Sequence, residues 1–235
     1  MIEESMIFAA GLGKRMFPLT RKLPKPLIKI NNTSILKNNI EKLLKCDFSN
    51  IVINTYYLPK KIINEVKEYD DRVKVVVEKE RLETGGGLLN AIKKKSFNTN
   101  SPLLLLNGDI FWENKVYNSL DKIRKLWDPG KMDILLCLKK KRDFFGYYGS
   151  GDFQMKKSTK KPSALYVEKN CSYAFTGLQV VKQEIITKKR KKIFSLREQI
   201  FDSLDKKKLF GYLDENPWFH IGTKDDLIRF REKLK

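Results

Sequence analysis

Residues 6–27 read MIFAAGLGKRMFPLTRKLPKPL. Met6–Ala10 is a short apolar run that ends in Gly11-Leu12-Gly13-Lys14-Arg15. A run that short, bounded by glycines, predicts a buried strand and not a helix. Glycines at its end let the backbone turn sharply and approach a ligand closely. Exposed N–H groups in such a turn form a concave seat for an anion. Arg15 and Lys25 add two positive charges, and the prolines on either side of Lys25 hold that segment extended. Strand, glycine turn, arginine and a braced lysine together suit a triphosphate. The pattern is neither the dinucleotide fingerprint nor the Walker loop, because no third glycine is in register and no Gly-Lys-Ser/Thr follows.

Outward from this stretch the chain alternates. Ile28–Ile30 reads as a short strand with Asn31-Asn32 as its turn, and Thr33 or Ser34 as the cap of a helix carrying Ile35, Leu36, Ile40, Leu43 and Leu44. Ile51–Ile53 is a strand, Pro59 opens a helix, and Val73–Val77 is a third strand. Glu83-Thr84-Gly85-Gly86-Gly87 then opens a helical pattern, and bare backbone there can receive a base, a sugar or a phosphate. Pro102–Leu106 is the most continuous apolar strand and runs into Asn107-Gly108-Asp109. Ligands of open parallel sheets bind at the carboxyl ends of strands, so a carboxylate there is placed to hold Mg²⁺ carried by a nucleotide. Val116–Trp127 reads as a helix and Met132–Leu138 as a strand. Arg142–Lys161 changes character to hairpins and loops, Tyr166–Lys169 and Phe175–Val181 follow as strands, and Ile185–Leu204 reads as peripheral basic and helical segments. Trp218-Phe219-His220-Ile221-Gly222-Thr223 precedes a last helix that Thr223 can cap. The order predicts an α/β fold with a mixed, mostly parallel central sheet flanked by helices.

Composition removes several classes. An apolar fraction of 41% over 235 residues supports one sizeable core. No uninterrupted apolar run is long enough to cross a bilayer, and the start, Met1-Ile2-Glu3-Glu4, is not a secretory signal. The 3 cysteines are odd in number and far apart, which argues against a disulfide framework and suits the cytoplasm. The net charge of +20 attracts polyanions, yet the lysines are scattered along every segment without interleaved aromatic residues, so no nucleic-acid partner is expected.

Ala9–Thr20 and Pro24–Leu27 match, nearly residue for residue, the signature of the sugar-1-phosphate nucleotidyltransferases, Ala-Ala-Gly-x-Gly-x-Arg-Met-x-Pro-Leu-Thr followed by Pro-Lys-Pro-Leu. Leu82–Gly87 resembles the second nucleotide-contacting loop of that family, in the branch that holds N-acetylmuramate-1-phosphate uridylyltransferase and bacterial mannose-1-phosphate guanylyltransferases. The resemblance implies a Rossmann-like nucleotide-diphospho-sugar transferase fold over residues 1–235, with a nucleotide-binding half at 1–110 and a sugar-phosphate half at 111–235. The reaction it implies takes an NTP and a sugar 1-phosphate to an NDP-sugar and pyrophosphate, with UTP and N-acetylmuramate 1-phosphate first and GTP with mannose 1-phosphate second. Arg15, Lys25 and Asp109 would carry catalysis. Ala9, Ala10, Gly11, Gly13, Lys14, Glu83, Gly85 and Gly86 would hold the nucleotide. Asn107, Glu168, Lys169, Thr176 and Gly177 would hold the sugar phosphate. Ending soon after the last helix, the chain is expected to lack an appended acyltransferase or left-handed helix domain, and to act as a monomer or homodimer.

One position departs from the family. Its aromatic-x-Asp-x-Gly-Thr pattern supplies a second Mg²⁺ carboxylate, and here that residue is His220, the only histidine. Neutral imidazole suits softer ions than Mg²⁺. Three readings stay open: a metal ligand better suited to Mn²⁺, a contact to phosphate or sugar with Asp109 alone anchoring Mg²⁺, or an impaired enzyme. That departure and the charge also motivate a rival of another class, a non-catalytic nucleotide-sugar sensor or a nucleic-acid-binding protein.

Overall fold

Four strands set the left half of the sheet. In the computed structural model, which describes residues 2–98, 100–156 and 161–233, they are β1 (Glu4–Phe8), β4 (Asn50–Thr55), β5 (Val73–Val77) and β6 (Leu103–Asn107). All pair in parallel, and β1 lies between β4 and β6. Strands buried on both faces need unbroken apolar sequence, and Leu103–Leu106 supplies it. A small hairpin, β2 (Lys29–Ile30) with β3 (Thr33–Ser34), leads into α1 (Ile35–Leu44), and α2 (Pro59–Val66) crosses back between β4 and β5. Ser34 is the cap of α1, its Oγ accepting from the Lys37 N–H at 3.0 Å. Next come α3 (Glu83–Lys93), then β7 (Ile110–Trp112), α4 (Ser119–Leu126) and β8 (Ile134–Lys140). Helix α4 is shorter than the sequence pattern predicts because the Asn118 side chain accepts from Leu120 and Asp121 and sets its start.

The remaining strands are β9 (Gln154–Met155), β10 (Ser163–Tyr166), β11 (Tyr173–Val181), β12 (Leu209–Leu213) and β13 (Trp218–His220), with helices α5 (Gln183–Thr187), α6 (Leu196–Asp205) and α7 (Lys224–Lys233). The full sheet runs β5-β4-β1-β6-β11-β8-β12-β10-β9. Strand β11 is antiparallel to both β6 and β8, and β12 is parallel to β8. The expected mixed, mostly parallel α/β sheet is what forms. The loop-rich reading of Arg142–Lys161 covers β9, and its residues 157–160 lie outside the described ones.

Three elements differ from the sequence reading. Strand β12 was not expected, because Leu209–Leu213 sits in a lysine-rich stretch whose charge masks five residues of sheet. Segment Trp218–His220 pairs with β7 in a separate two-stranded ribbon, held where the Trp112 and Trp218 rings stack at 5.0 Å. Ile185–Leu204 is not peripheral: Phe194, Leu196 and Ile200 belong to the core beneath the sheet, beside Leu88 and Leu89 of α3.

Strand order places the site. From β1 the chain moves outward to β4 and β5, then returns to place β6 on the other side of β1. The two connections leave in opposite directions, and the crevice between the carboxyl ends of β1 and β6 is the resulting switch point. Phe8 and Asn107, register partners, close those strands.

Candidate active site

Just past the switch point the ends of β1 and β6 come into contact. The Gly108 N–H donates to the Phe8 carbonyl at 2.9 Å, and a Cβ on Gly108 would stand 2.4 Å from that same oxygen. No side chain fits there, so glycine is what lets Asp109 emerge beside the glycine turn. On the other side, the Ala9 N–H donates to Asn54 Oδ1 at 3.0 Å, which ties the turn to β4. Gly13 has a φ of +63°, and its carbonyl accepts from the Thr20 hydroxyl at 2.8 Å. That bond fixes the loop carrying Lys14 and Arg15. A Cβ on Gly11 would meet nothing within 4 Å, so the backbone there faces open space.

Lys25 crosses the crevice. Its Nζ donates to Asp109 Oδ2 at 2.5 Å, with only 10% of the lysine side chain and 25% of the aspartate side chain exposed. Burial alone would raise the Asp109 carboxyl. The Lys25 charge, the imidazolium that His220 becomes in acid and the Lys25 hydrogen bond outweigh it and leave the group below its ordinary value. Asp109 is therefore an anion at neutral pH. Burial lowers His220, nearby Lys25 and Arg15 add to that, and Asp109 and Asp226 oppose it, so the imidazole is neutral at pH 7. Its Nε2 lies against Gly222, where a Cβ would sit 2.9 Å away. Thr223 is the cap of α7 in a reciprocal arrangement: its N–H and Oγ1 donate to Asp226 Oδ2, and the Asp226 N–H donates to Thr223 Oγ1.

The result is a cleft of about 440 Å³ whose wall carries Gly11, Gly13, Lys14, Arg15, Lys25, Asn107, Asp109 and Gly222. Arg15 and Lys14 are exposed and form no ion pair among the described residues, so their charge is free for a ligand. A smaller recess of about 100 Å³ opens from the Gly11 side between Ala10, Glu78 and Glu83. A second, of about 210 Å³, opens from the Asn107 side. The lining of the cleft is cationic with one carboxylate, and both recesses share Phe8 and Thr84 with it: the layout suits a chain of phosphates with further groups attached.

Residues 4–235 match the nucleotidyl transferase family. The chain belongs to that family. An N-acetylmuramate alpha-1-phosphate uridylyltransferase from Caulobacter vibrioides is 25% identical, covering 98% of this chain and 96% of its own. A mannose-1-phosphate guanyltransferase from Debaryomyces hansenii is 28% identical over 96% of this chain, which spans 62% of that enzyme's length. The crystal structure of HddC from Yersinia pseudotuberculosis complexed with GMP-PN shares the fold at a TM-score of 0.74 and 22% identity, with each chain covered fully. The resemblance carried by Ala9–Leu27, and the nucleotidyltransferase class it implied, both hold.

Within this nucleotidyltransferase, the sequence-predicted residues divide. Ala9, Gly11, Gly13, Lys14, Arg15, Lys25, Asn107 and Asp109 share the one cleft, and Ala10 and Glu83 line its small recess. Gly85 and Gly86 do not offer bare backbone. Both N–H groups donate to the Phe194 carbonyl at 3.0 Å, inside helix α3. Glu83 stands exposed and pairs with Arg81 at 2.8 Å. Thr176 is buried, with its hydroxyl donating to the Cys137 carbonyl at 2.9 Å. Gly177, at φ +93°, packs against Asn107, where a Cβ would fall 2.8 Å from Nδ2, so it positions that side chain. Glu168 and Lys169 are exposed on the turn after β10 and outside the lining of the cleft and its recesses.

Two buried residues escaped the sequence reading. Asn54 is the next-to-last residue of β4, its Oδ1 holding Ala9 and its Nδ2 donating to Glu78 Oε1 at 2.7 Å. Glu78 follows β5, and its Oε2 is buried with no hydrogen-bond partner among the described residues. The available signal was a polar residue at or next to the end of an apolar strand, repeated at Asn54, Glu78 and Asn107.

Proposed function

We propose that this chain transfers a nucleotidyl group from an NTP to a sugar 1-phosphate, releasing pyrophosphate, with UTP and N-acetylmuramate 1-phosphate as the first pair to test. The observation that carries the reading is Lys25, Asp109, free Arg15 and the open backbone at Gly11 on one cleft wall. An oxygen of the sugar phosphate attacks the α-phosphorus, and the β–γ pyrophosphate leaves from the opposite side. The protein's work is positioning and charge neutralisation. Gly11 and Gly13 admit the phosphates against backbone. Arg15 neutralises the leaving pyrophosphate. Lys25 moves from Asp109 to the attacking and α-phosphates once they arrive.

Asp109 would hold a divalent cation, Mg²⁺ first and Mn²⁺ as the alternative. Among the described residues no group of three His, Cys, Asp or Glu side chains forms a cage. The fit is still good, because Mg²⁺ arriving on a nucleotide needs one or two carboxylates and takes its other ligands from phosphate and water. Such an ion supplies charge neutralisation on the phosphates. His220, neutral and set behind Gly222, better suits a contact to phosphate or sugar. No helix among the described residues is long and apolar enough to cross a membrane, and we place the enzyme in the cytoplasm, supplying nucleotide sugar for cell-wall chemistry.

GTP with a mannose-type acceptor is the second reading, and one observation favours it. The small recess presents Glu78, whose Oε1 accepts from Asn54 while its Oε2 has no hydrogen-bond partner among the described residues. Guanine offers two adjacent N–H donors to a carboxylate, whereas uracil offers one between two carbonyls. Pyrophosphate release across a panel of NTPs, sugar 1-phosphates and Mg²⁺ or Mn²⁺ tests both. Release with no pair would leave the non-catalytic sensor standing. Glu78→Gln is expected to shift base preference toward uracil; an unchanged preference removes the base from that recess.

A further inference from the structure

The recess on the Asn107 side has a makeup of its own. Its walls are aromatic, with Phe153 and Phe175 on the sheet side and Phe201 on α6. Gln179 on β11 lines it and is 2% exposed, and its Oε1 is buried with no donor among the described residues. A buried acceptor left unpaired is costly, so the site is incomplete until a donor enters. At the mouth stands Arg197, exposed, its guanidinium 5.1 Å from the Phe201 ring centroid and free of any ion pair among the described residues. The one carboxylate in the lining, Asp152, already accepts from the Phe175 N–H at 2.9 Å.

We infer that this recess selects the acceptor: Gln179 and Arg197 read an acylamino group and a carboxylate on the same sugar 1-phosphate. The inference rests on the transfer reading above. An amide N–H supplies what Gln179 Oε1 lacks, and its acyl methyl fits the phenylalanine walls. A guanidinium on an aromatic face recognises a carboxylate through two parallel hydrogen bonds, which a hydroxyl does not match. Neutral, unacylated sugar phosphates leave both groups unused. The recess proposed for the base is lined by Ala10, Asn54 and Glu78 and shares only Phe8 and Thr84 with this one, so the two ends of one ligand use different side chains.

Calorimetry on the whole chain tests this without depending on turnover. N-acetylmuramate 1-phosphate, N-acetylglucosamine 1-phosphate and glucose 1-phosphate are titrated into wild type, Arg197→Ala and Gln179→Leu, with the KM values of the same acceptors measured in parallel. The acidic acceptor is expected to bind wild type most tightly. Arg197→Ala should raise the Kd ratio of acidic to neutral N-acetylated acceptor at least about tenfold. Gln179→Leu should raise the ratio of N-acetylated to unacetylated acceptor by a similar factor. Unchanged ratios in both variants overturn the inference, as does wild-type binding that ignores both groups. If wild type binds the acidic acceptor selectively yet releases no pyrophosphate with any NTP, the transfer reading falls and the selecting recess stands. If pyrophosphate is released but the ratios do not move, the reverse holds.

Discussion

A Cβ on Gly11 would meet nothing within 4 Å, while one on Gly85 would stand 2.3 Å from the Phe194 ring and one on Gly86 2.3 Å from the Lys192 carbonyl. Both glycine stretches follow a strand end, and in the sequence both are candidates for bare backbone against a ligand. One faces solvent and the other is covered by the protein's own chain. The Lys192–Phe194 segment fills the place a ligand would take at α3, and the Phe194 carbonyl accepts from the Gly85 and Gly86 N–H groups. Close approach is the shared cause, and what approaches differs. At Gly11 it is left to a substrate; at Gly85 and Gly86 it anchors the segment that leads into α6 and, through Arg197 and Phe201, walls the second recess.

Substitutions can break that contrast. The largest effect belongs to the open side: Asp109→Asn should lower pyrophosphate release by about 10²–10³-fold, because the cleft loses its one carboxylate. Activity within about threefold of wild type would remove Asp109 from the chemistry. Gly86→Ala tests the closed side. Helix propensity favours alanine by about 1 kcal/mol, but crowding against the Lys192 carbonyl costs about 1–3 kcal/mol or more. A net loss lowering the melting temperature by roughly 2–8 °C is expected in scanning calorimetry, and a gain would mean the segment is not seated there. Gly11→Ala should do the opposite: a melting temperature within about a degree of wild type, with the KM for NTP raised about tenfold or more as phosphates lose backbone approach.

The smallest effect is acid sensitivity. His220 is lowered by burial, so the unfolded chain binds its proton more readily than the folded one. Stability from its neutral form is complete above the ordinary histidine value and is lost as pH falls from there toward the lowered folded value. Asp109 is lowered too, and its contribution fades only below the ordinary carboxylate range. Melting temperature in His220→Gln should therefore fall less than in wild type between about pH 6.5 and pH 5. Parallel curves would mean His220 is solvated in the folded state.

Local chemistry made much of this readable in advance. Apolar runs of strand length and glycine at a strand end are choices the backbone must honour wherever they occur, so β1, β4, β5, β6 and the glycine turn could be read in advance, whereas Lys25–Leu27, expected to be extended between its prolines, winds into a 3-10 turn. Polar endings of strands pointed to Asn107 and Asp109 for the same reason. Strand β12, the Trp112–Trp218 ribbon, the burial of Thr176, the covering of Gly85 and Gly86 by Phe194 and the recess around Gln179 depend on which distant segment arrives. A residue type states what a position can tolerate; only packing over long sequence separations decides whether protein or ligand occupies the space it leaves.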